Sequence, residues 1–365
     1  MSRRRDPGAT GLVAGLGLLF VGRGYLNGDI AAYCAQAWAG DLTDRSVHLG
    51  YIAGAAALAP LAGSALPGVL DLANVLAAGL AAVAVTRLTP AAPWTAGLAT
   101  IGILLPWAPF AEVDVPWIAL VLTAAAGAPG AAAGAVFLSP TALLALPWVA
   151  LRRRGVGPLV EGALAVAVLT GLSGGDWWWG ERGVLQPRSF LIGRNLGSWL
   201  ATVPWLVVLT GRPGRWRDLV GLGPLLLAPA DVPAPALVAI AVVSTTQGRT
   251  RGSLHRVARS VAIAAVLATG LLQASLRAAR VTHEHAAILE VLRSFEPGDG
   301  LVAPFTWGAR ASVIATGDPY GLPWHPEGRF LRDQEARWAE VDGTIRVLPP
   351  QASATPPHDP GAPRP

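Results

Sequence analysis

The chain contains no lysine, one cysteine and one methionine, and it is poor in charge of either sign. Asp, Glu, Lys and Arg make up 14% of its 365 residues, where a soluble globular chain carries roughly a quarter. A single cysteine, Cys34, excludes an internal disulfide and any metal site built from several thiolates. No Walker loop, dinucleotide fingerprint or nucleophile elbow occurs, so nucleotide-driven transport and serine hydrolysis have no support. What is abundant is apolar: 52% of residues are hydrophobic and the mean hydropathy is +0.46.

That apolar material is divided by short polar punctuation, which predicts a chain that crosses a bilayer repeatedly. The expected fold is an all-α polytopic membrane protein of about nine or ten apolar segments. The net charge of +5 and pI near 10.3 come entirely from arginine. Many arginines lie in clusters between apolar segments, which the positive-inside rule explains without a nucleic-acid partner. A lysine-free, Ala/Gly/Pro-rich composition also fits GC-rich, bacterial coding, so the expected location is a bacterial cytoplasmic membrane.

The arginines orient the chain. Arg3-Arg4-Arg5 before the apolar run Leu12 to Val21 predicts an uncleaved first span with a cytoplasmic N-terminus, although Ala35-Gln36-Ala37 imitates a cleavage site. Residues 28 to 48 then form an outer loop. Arg152-Arg153-Arg154, the group Arg212, Arg215 and Arg217, and the group Arg249, Arg251, Arg256 and Arg259 are expected inside, with a second outer loop at 173 to 195. Residues 49 to 66, broken by Pro60 and bounded by Pro67, decide the parity: if they span, Arg87 faces out; if not, in. The second reading is preferred, because it puts Glu112 and Asp114 on the side of Asp29. Residues 115 to 150 are apolar but interrupted at Pro129-Gly130 and Ser139-Pro140-Thr141, and broken spans need protein around them.

Residues 1 to 280 are therefore assigned to a transmembrane domain and 281 to 348 to a small extracytoplasmic α/β domain. That domain has a helix over His283 to Phe295 and short strands at Leu301 to Phe305 and Ser312 to Ala315. The proline-rich tail 349 to 365 is expected to be disordered.

Three constellations could carry chemistry. Asp29, at the end of the first apolar segment, is followed by Asp41, Asp44, Arg45 and His48. Such residues are ordinarily a solvated loop, but a carboxylate at that depth can act as a general base or hold a divalent cation. The loop Asp176-Trp177-Trp178-Trp179 leads to Arg182, Arg188 and Arg194. Tryptophans there most often form an aromatic belt, yet aromatic faces also stack on sugars and arginines bind phosphate. Thr282-His283-Glu284-His285 has the wrong spacing for a zinc pair on one helix face and is read as structural.

Several pieces occur in the order found in a known class. Gly28-Asp29 ends the first span with Tyr33 one turn on, and His48-Leu49-Gly50-Tyr51 stands where a His-Pro-Pro-Gly-Tyr-like element is often found. Phe110-Ala111-Glu112-Val113-Asp114 is similar to an acidic Glu-Val-Tyr element, and Gly130 to Pro147, followed by Arg152-Arg153-Arg154, is similar to a broken helix pair. Together these resemble the integral-membrane glycosyltransferases of the GT-C superfamily. That group includes the protein O-mannosyltransferases and the aminoarabinose transferases, which use polyprenyl-phosphate sugars. Both prolines of the histidine element are missing, and Asp114 replaces the usual tyrosine.

The resemblance implies an inverting transfer of a sugar from a polyprenyl-phosphate donor to a glycan, lipid or protein acceptor on the outer face. Asp29 would be the base. Glu112, Asp114 and His48 would position the acceptor, and Asp29 with Glu112 are candidate ligands of a divalent cation. Arg182, Arg188 and Arg194 would hold the donor phosphate, with Trp177, Trp178 and Trp179 against the sugar or lipid. Competing readings are a transporter or flippase, for which the in-span acids Asp71 and Glu161 are the marks, and a noncatalytic membrane scaffold.

Overall fold

The computed structural model describes residues 28–39, 48–88, 93–108, 113–173, 220–221, 223–227, 253–293, 299–303, 324–326, 337–341 and 345–347. These are mostly helical. In chain order they give α1 (Gly28–Ala39), α2 (Leu49–Ala62), a 3-10 turn (Gly63–Ala65), α3 (Leu66–Leu88), α4 (Pro93–Leu104), α5 (Asp114–Ala125) and α6 (Ala131–Leu138). A second 3-10 segment (Pro140–Ala145), α7 (Leu146–Arg153), α8 (Gly157–Ser173), a 3-10 turn (Gly223–Leu227) and α9 (Ser253–Arg293) follow. Four strands, β1 (Asp299–Ala303), β2 (Trp324–Pro326), β3 (Arg337–Val341) and β4 (Ile345–Val347), close the series.

The chain divides into two compact units, residues 1–25 with 36–280, and residues 26–35 with 281–365. The second unit holds the first turns of α1, the end of α9 and a sheet of order β2-β1-β3-β4. In that sheet β1 runs parallel to β2 and β3, and β3 pairs antiparallel with β4. Strand β1 overlaps the segment Leu301 to Phe305 expected to be extended; Ser312 to Ala315 lies outside the described residues, as does the tail 349 to 365.

The first unit is built around α5. Val115, Trp117, Ile118, Ala119, Val121, Leu122 and Ala124 have no exposed surface, as a helix that is apolar all round requires. It packs with α3, α6 and α7 in one core that includes Val85, Leu104, Val136, Leu146 and Trp148. The interruptions fall where the sequence places them. Gly127 and Gly130 both take positive φ, at 104° and 73°, which glycine allows at little cost. Ser139 is extended at φ −150°, and Pro140 starts the 3-10 segment.

Among the described residues one helix, α3, is long and apolar enough to cross a membrane, by length and composition. Its 23 residues reach roughly 34 Å, against a hydrocarbon core of roughly 30 Å. Helices α2, α5 and α8 are apolar but shorter. The segment expected as an outer loop at 28 to 48 is instead helical over Gly28–Ala39, so Tyr33 does lie one turn beyond Asp29. His283 to Arg293 is not a separate helix but the end of α9, which runs 41 residues without a break.

Candidate functional site

Polar side chains close helix ends at one end of the first unit. Arg152 Nη2 donates to the carbonyl of Leu88, the last residue of α3, at 3.0 Å, meeting one of the orphan acceptors that every helix terminus leaves. Arg153 Nη1 lies 4.0 Å from Glu161 Oε1, and Glu161 Oε2 accepts from the backbone N–H of Ala132 at 3.2 Å. Glu161 thereby caps the start of α6 from a neighbouring helix, where a negative charge complements the helix dipole. Arg154 takes φ 55° and ψ 42° as the left-handed C-cap of α7. The triple arginine, Arg87, the start of α6 and the start of α8 therefore share one end, called the arginine end below.

The other end is set by close backbone approach. A side chain at Gly50 would run into the carbonyl of Phe137, so α2 starts hard against the end of α6. Leu49 packs with Leu169, Phe137 and Val166. Helix α2 begins there and ends at Ala62, one 3-10 turn before Leu66, which lies a whole α3 length, roughly 33 Å, from Leu88. Both of its ends thus lie away from the arginine end. Its 14 residues reach roughly 21 Å, short of a hydrocarbon core. Trp38 Nε1 donates to Gly63 O at 3.0 Å beside the α2–α3 turn. Similarly, a side chain at Gly270 of α9 would meet the carbonyl of Gly102 in α4. Arg277, two turns further along α9, donates to Pro106 O at 3.2 Å.

His48 immediately precedes α2, at φ −114° and ψ 34°, and its carbonyl accepts from Ile52 N–H at 3.0 Å. The residue is partly exposed, but its Nδ1 is enclosed. Burial lowers its pKa from 6.5 to about 4, because the imidazolium loses its hydration. The ring is neutral at pH 7 and able to accept a proton or a hydrogen bond. Asp114 opens α5, is 7% exposed, and its Oδ1 accepts from Trp117 Nε1 at 2.7 Å. One carboxylate oxygen is thus committed to holding the first turn of the central helix.

Of the other residues singled out in the sequence, Asp29 is placed only as the second residue of α1, in the second unit, whereas His48 and Asp114 belong to the first. Glu112, Trp177, Trp178, Trp179, Arg182, Arg188 and Arg194 lie outside the described residues. Among the described residues no three His, Cys, Asp or Glu side chains gather as a metal group.

Three buried polar atoms stand out: Asp71 Oδ1, on one of the in-span acids noted in the sequence, and Ser139 Oγ and Trp148 Nε1, to which the sequence assigns no site role. None of the three has a hydrogen-bond partner among the described residues. For Ser139 the available signal was the Ser-Pro-Thr break itself. No family model, curated protein or solved structure matches this chain.

Proposed function

We propose that this chain is a polytopic membrane protein that transfers a sugar from a polyprenyl-phosphate donor to an acceptor outside the cytoplasmic membrane. Asp29 would act as base, and the 281–348 region would form an extracytoplasmic α/β domain. Outward-facing apolar stripes support the membrane reading. Leu72, Leu76 and Leu80 on α3, and Val160, Leu164, Val168 and Leu172 on α8, are exposed at four-residue spacing, a pattern that suits lipid better than water. The shared end of Arg87 and Arg152-Arg153-Arg154 suits a cytoplasmic face.

The observation that carries the enzymatic reading is the His48-Leu49-Gly50-Tyr51 element. It is built into the first unit away from the arginines, with Gly50 against Phe137 and a neutral, desolvated His48. A neutral imidazole, following Asp41 and Asp44 in the sequence, is suited to orient an acceptor hydroxyl that a carboxylate deprotonates, and the donor phosphate then leaves with inversion. The remaining roles follow the resemblance: Glu112 and Asp114 at the acceptor or a divalent cation, and Arg182, Arg188 and Arg194 at the phosphate.

The test supplies membranes with polyprenyl-phosphate hexoses and pentoses and follows transfer to endogenous acceptors. Asp29→Asn should lower transfer by about a hundredfold or more while the protein still inserts; undiminished transfer removes Asp29 from the mechanism. Orientation is read in the same membranes. Cys34 is fully buried, so Leu61→Cys and Val156→Cys, at positions 88% and 69% exposed, report alone. An impermeant maleimide should reach the first in intact cells and the second only after lysis.

A transport reading keeps one specific support. Asp71 is a carboxyl inside the apolar helix α3, 4% exposed, with an oxygen that meets no partner among the described residues.

A further inference from the structure

Asp71 lies five residues into α3, roughly 25 Å along the helix from Leu88. Its own helix carries one other charged residue, Arg87, at the far end. The described elements packed most extensively along α3 are α2, the Gly63–Ala65 turn, α4 and α5, and α7 meets its far end through Arg152 on the Leu88 carbonyl. The titratable side chains of the former are Tyr51 and Asp114, with His48 just before α2, and Asp114 already accepts from Trp117. Helix α2, the turn, α4 and α5 carry no lysine or arginine, and Arg152 of α7 sits at the Leu88 end. One turn on from Asp71 stands Asn74, fully buried and uncharged.

A carboxylate in that setting would hold a full negative charge in an apolar interior, with one oxygen unsatisfied and no cation beside it among the described residues. Removing the charge by binding a proton costs far less than keeping it. The alternative of a bound metal ion would need further ligands, and no such group exists among the described residues.

We propose that Asp71 is a proton-binding site within α3: a carboxylic acid that keeps its proton while enclosed and releases it only when water or a polar ligand reaches its oxygens. The ligand is the proton itself. This goes beyond sugar transfer and does not depend on it. Leu72 and Leu76, near Asp71 on the helix, are exposed on its outer face, which lets an apolar reagent approach from the lipid side.

The full chain in lipid vesicles is treated with dicyclohexylcarbodiimide, which dissolves in apolar phases, and in parallel with a charged, water-soluble carbodiimide. The acid proton moves to a carbodiimide nitrogen and the carboxyl oxygen bonds to the central carbon. The acyl group then shifts from oxygen to nitrogen, leaving an N-acylurea that retains the whole reagent and expels nothing. Peptide mapping should find this adduct on Asp71 at least tenfold more with the apolar reagent, falling as the pH is raised, and absent in Asp71→Asn. An infrared carbonyl band of a carboxylic acid, lost in Asp71→Asn, checks the same group without any reagent.

Asp71→Asn exchanges one neutral polar group for another, so its thermal midpoint should stay close to that of the parent chain. Equal labelling by both reagents, no Asp71 adduct, or an unchanged acid band in Asp71→Asn would each overturn the proposal. So would a large fall in midpoint, which would mark a charged, paired carboxylate. Labelling needs no donor sugar, so failure of the transfer assay leaves this result standing, and the reverse also holds.

Discussion

The two ends of the first unit use polar groups differently. At the arginine end Arg152, Arg153 and Glu161 each meet a partner, and two of them close helix termini. Away from it, Arg277 and Trp117 make comparable bonds, but Asp71 and Ser139 keep buried oxygens with no partner among the described residues. Trp148, on the core side of α7, keeps an indole N–H in the same condition. Buried polar groups are ordinarily satisfied, so an end where they are satisfied is explained by folding. An end where they are not holds free energy that folding alone does not recover, and this is where a site is expected.

The largest expected effect tests how rigid the far end is. Gly50→Leu puts a side chain into the Phe137 carbonyl, a backbone atom that cannot rotate away. Overpacking in a core costs about 1–3 kcal/mol when side chains can shift, so the loss here should reach about 3 kcal/mol or more, read as a fall in thermal midpoint in detergent. A midpoint equal to that of the parent would mean that α2 is not seated against α6 and would dissolve the contrast between the ends.

Next comes the acid response of the same end. The folded-state pKa of His48 is depressed to about 4 from 6.5, so the unfolded chain binds this proton more readily than the folded one. The stability it contributes is present above pH 6.5 and is lost as the pH falls toward 4, by no more than about 3 kcal/mol, since part of the residue is exposed. Unfolding followed from pH 7 to 4 should show this decline, and His48→Gln should flatten it. An unaltered acid limb in His48→Gln would place the titrating group elsewhere.

How much of this was legible in the sequence follows from the range of each interaction. The breaks at Pro129-Gly130 and Ser139-Pro140 were legible because positive φ and a missing N–H are local demands written in residue type. The helix over Gly28–Ala39 was not. Asp29, Tyr33 and Gln36 look like loop punctuation among small residues, yet Ile30, Cys34, Gln36 and Ala37 are buried. Glu161 was read as an in-span acid suited to transport, whereas it caps a helix 29 residues earlier, and Arg152 closes one 64 residues earlier. Composition gave the sign of the arginine end, but only folding showed that its charges are also spent on helix termini.

The smallest effect sharpens that last point. If the arginines serve orientation alone, replacing Arg152 by another uncharged polar residue should leave the stability of the inserted protein unchanged. If Arg152 also closes α3, Arg152→Gln loses a charge-assisted bond to the Leu88 carbonyl and should cost about 1 kcal/mol. Arg152→Lys keeps the charge but reaches the carbonyl as a point donor in place of a planar fork, so it should recover orientation fully and stability only in part. Glu161→Gln serves as the internal control. It keeps an acceptor for Ala132 N–H while removing the attraction to Arg153, which at 4.0 Å with both side chains partly exposed is worth at most about 1 kcal/mol. A cost for Arg152→Gln larger than that for Glu161→Gln would assign the stability of this end to the closed helix terminus over the ion pair. The reverse order would make charge pairing the stronger stabiliser, and the two ends of the unit would then differ in electrostatics and not in backbone satisfaction.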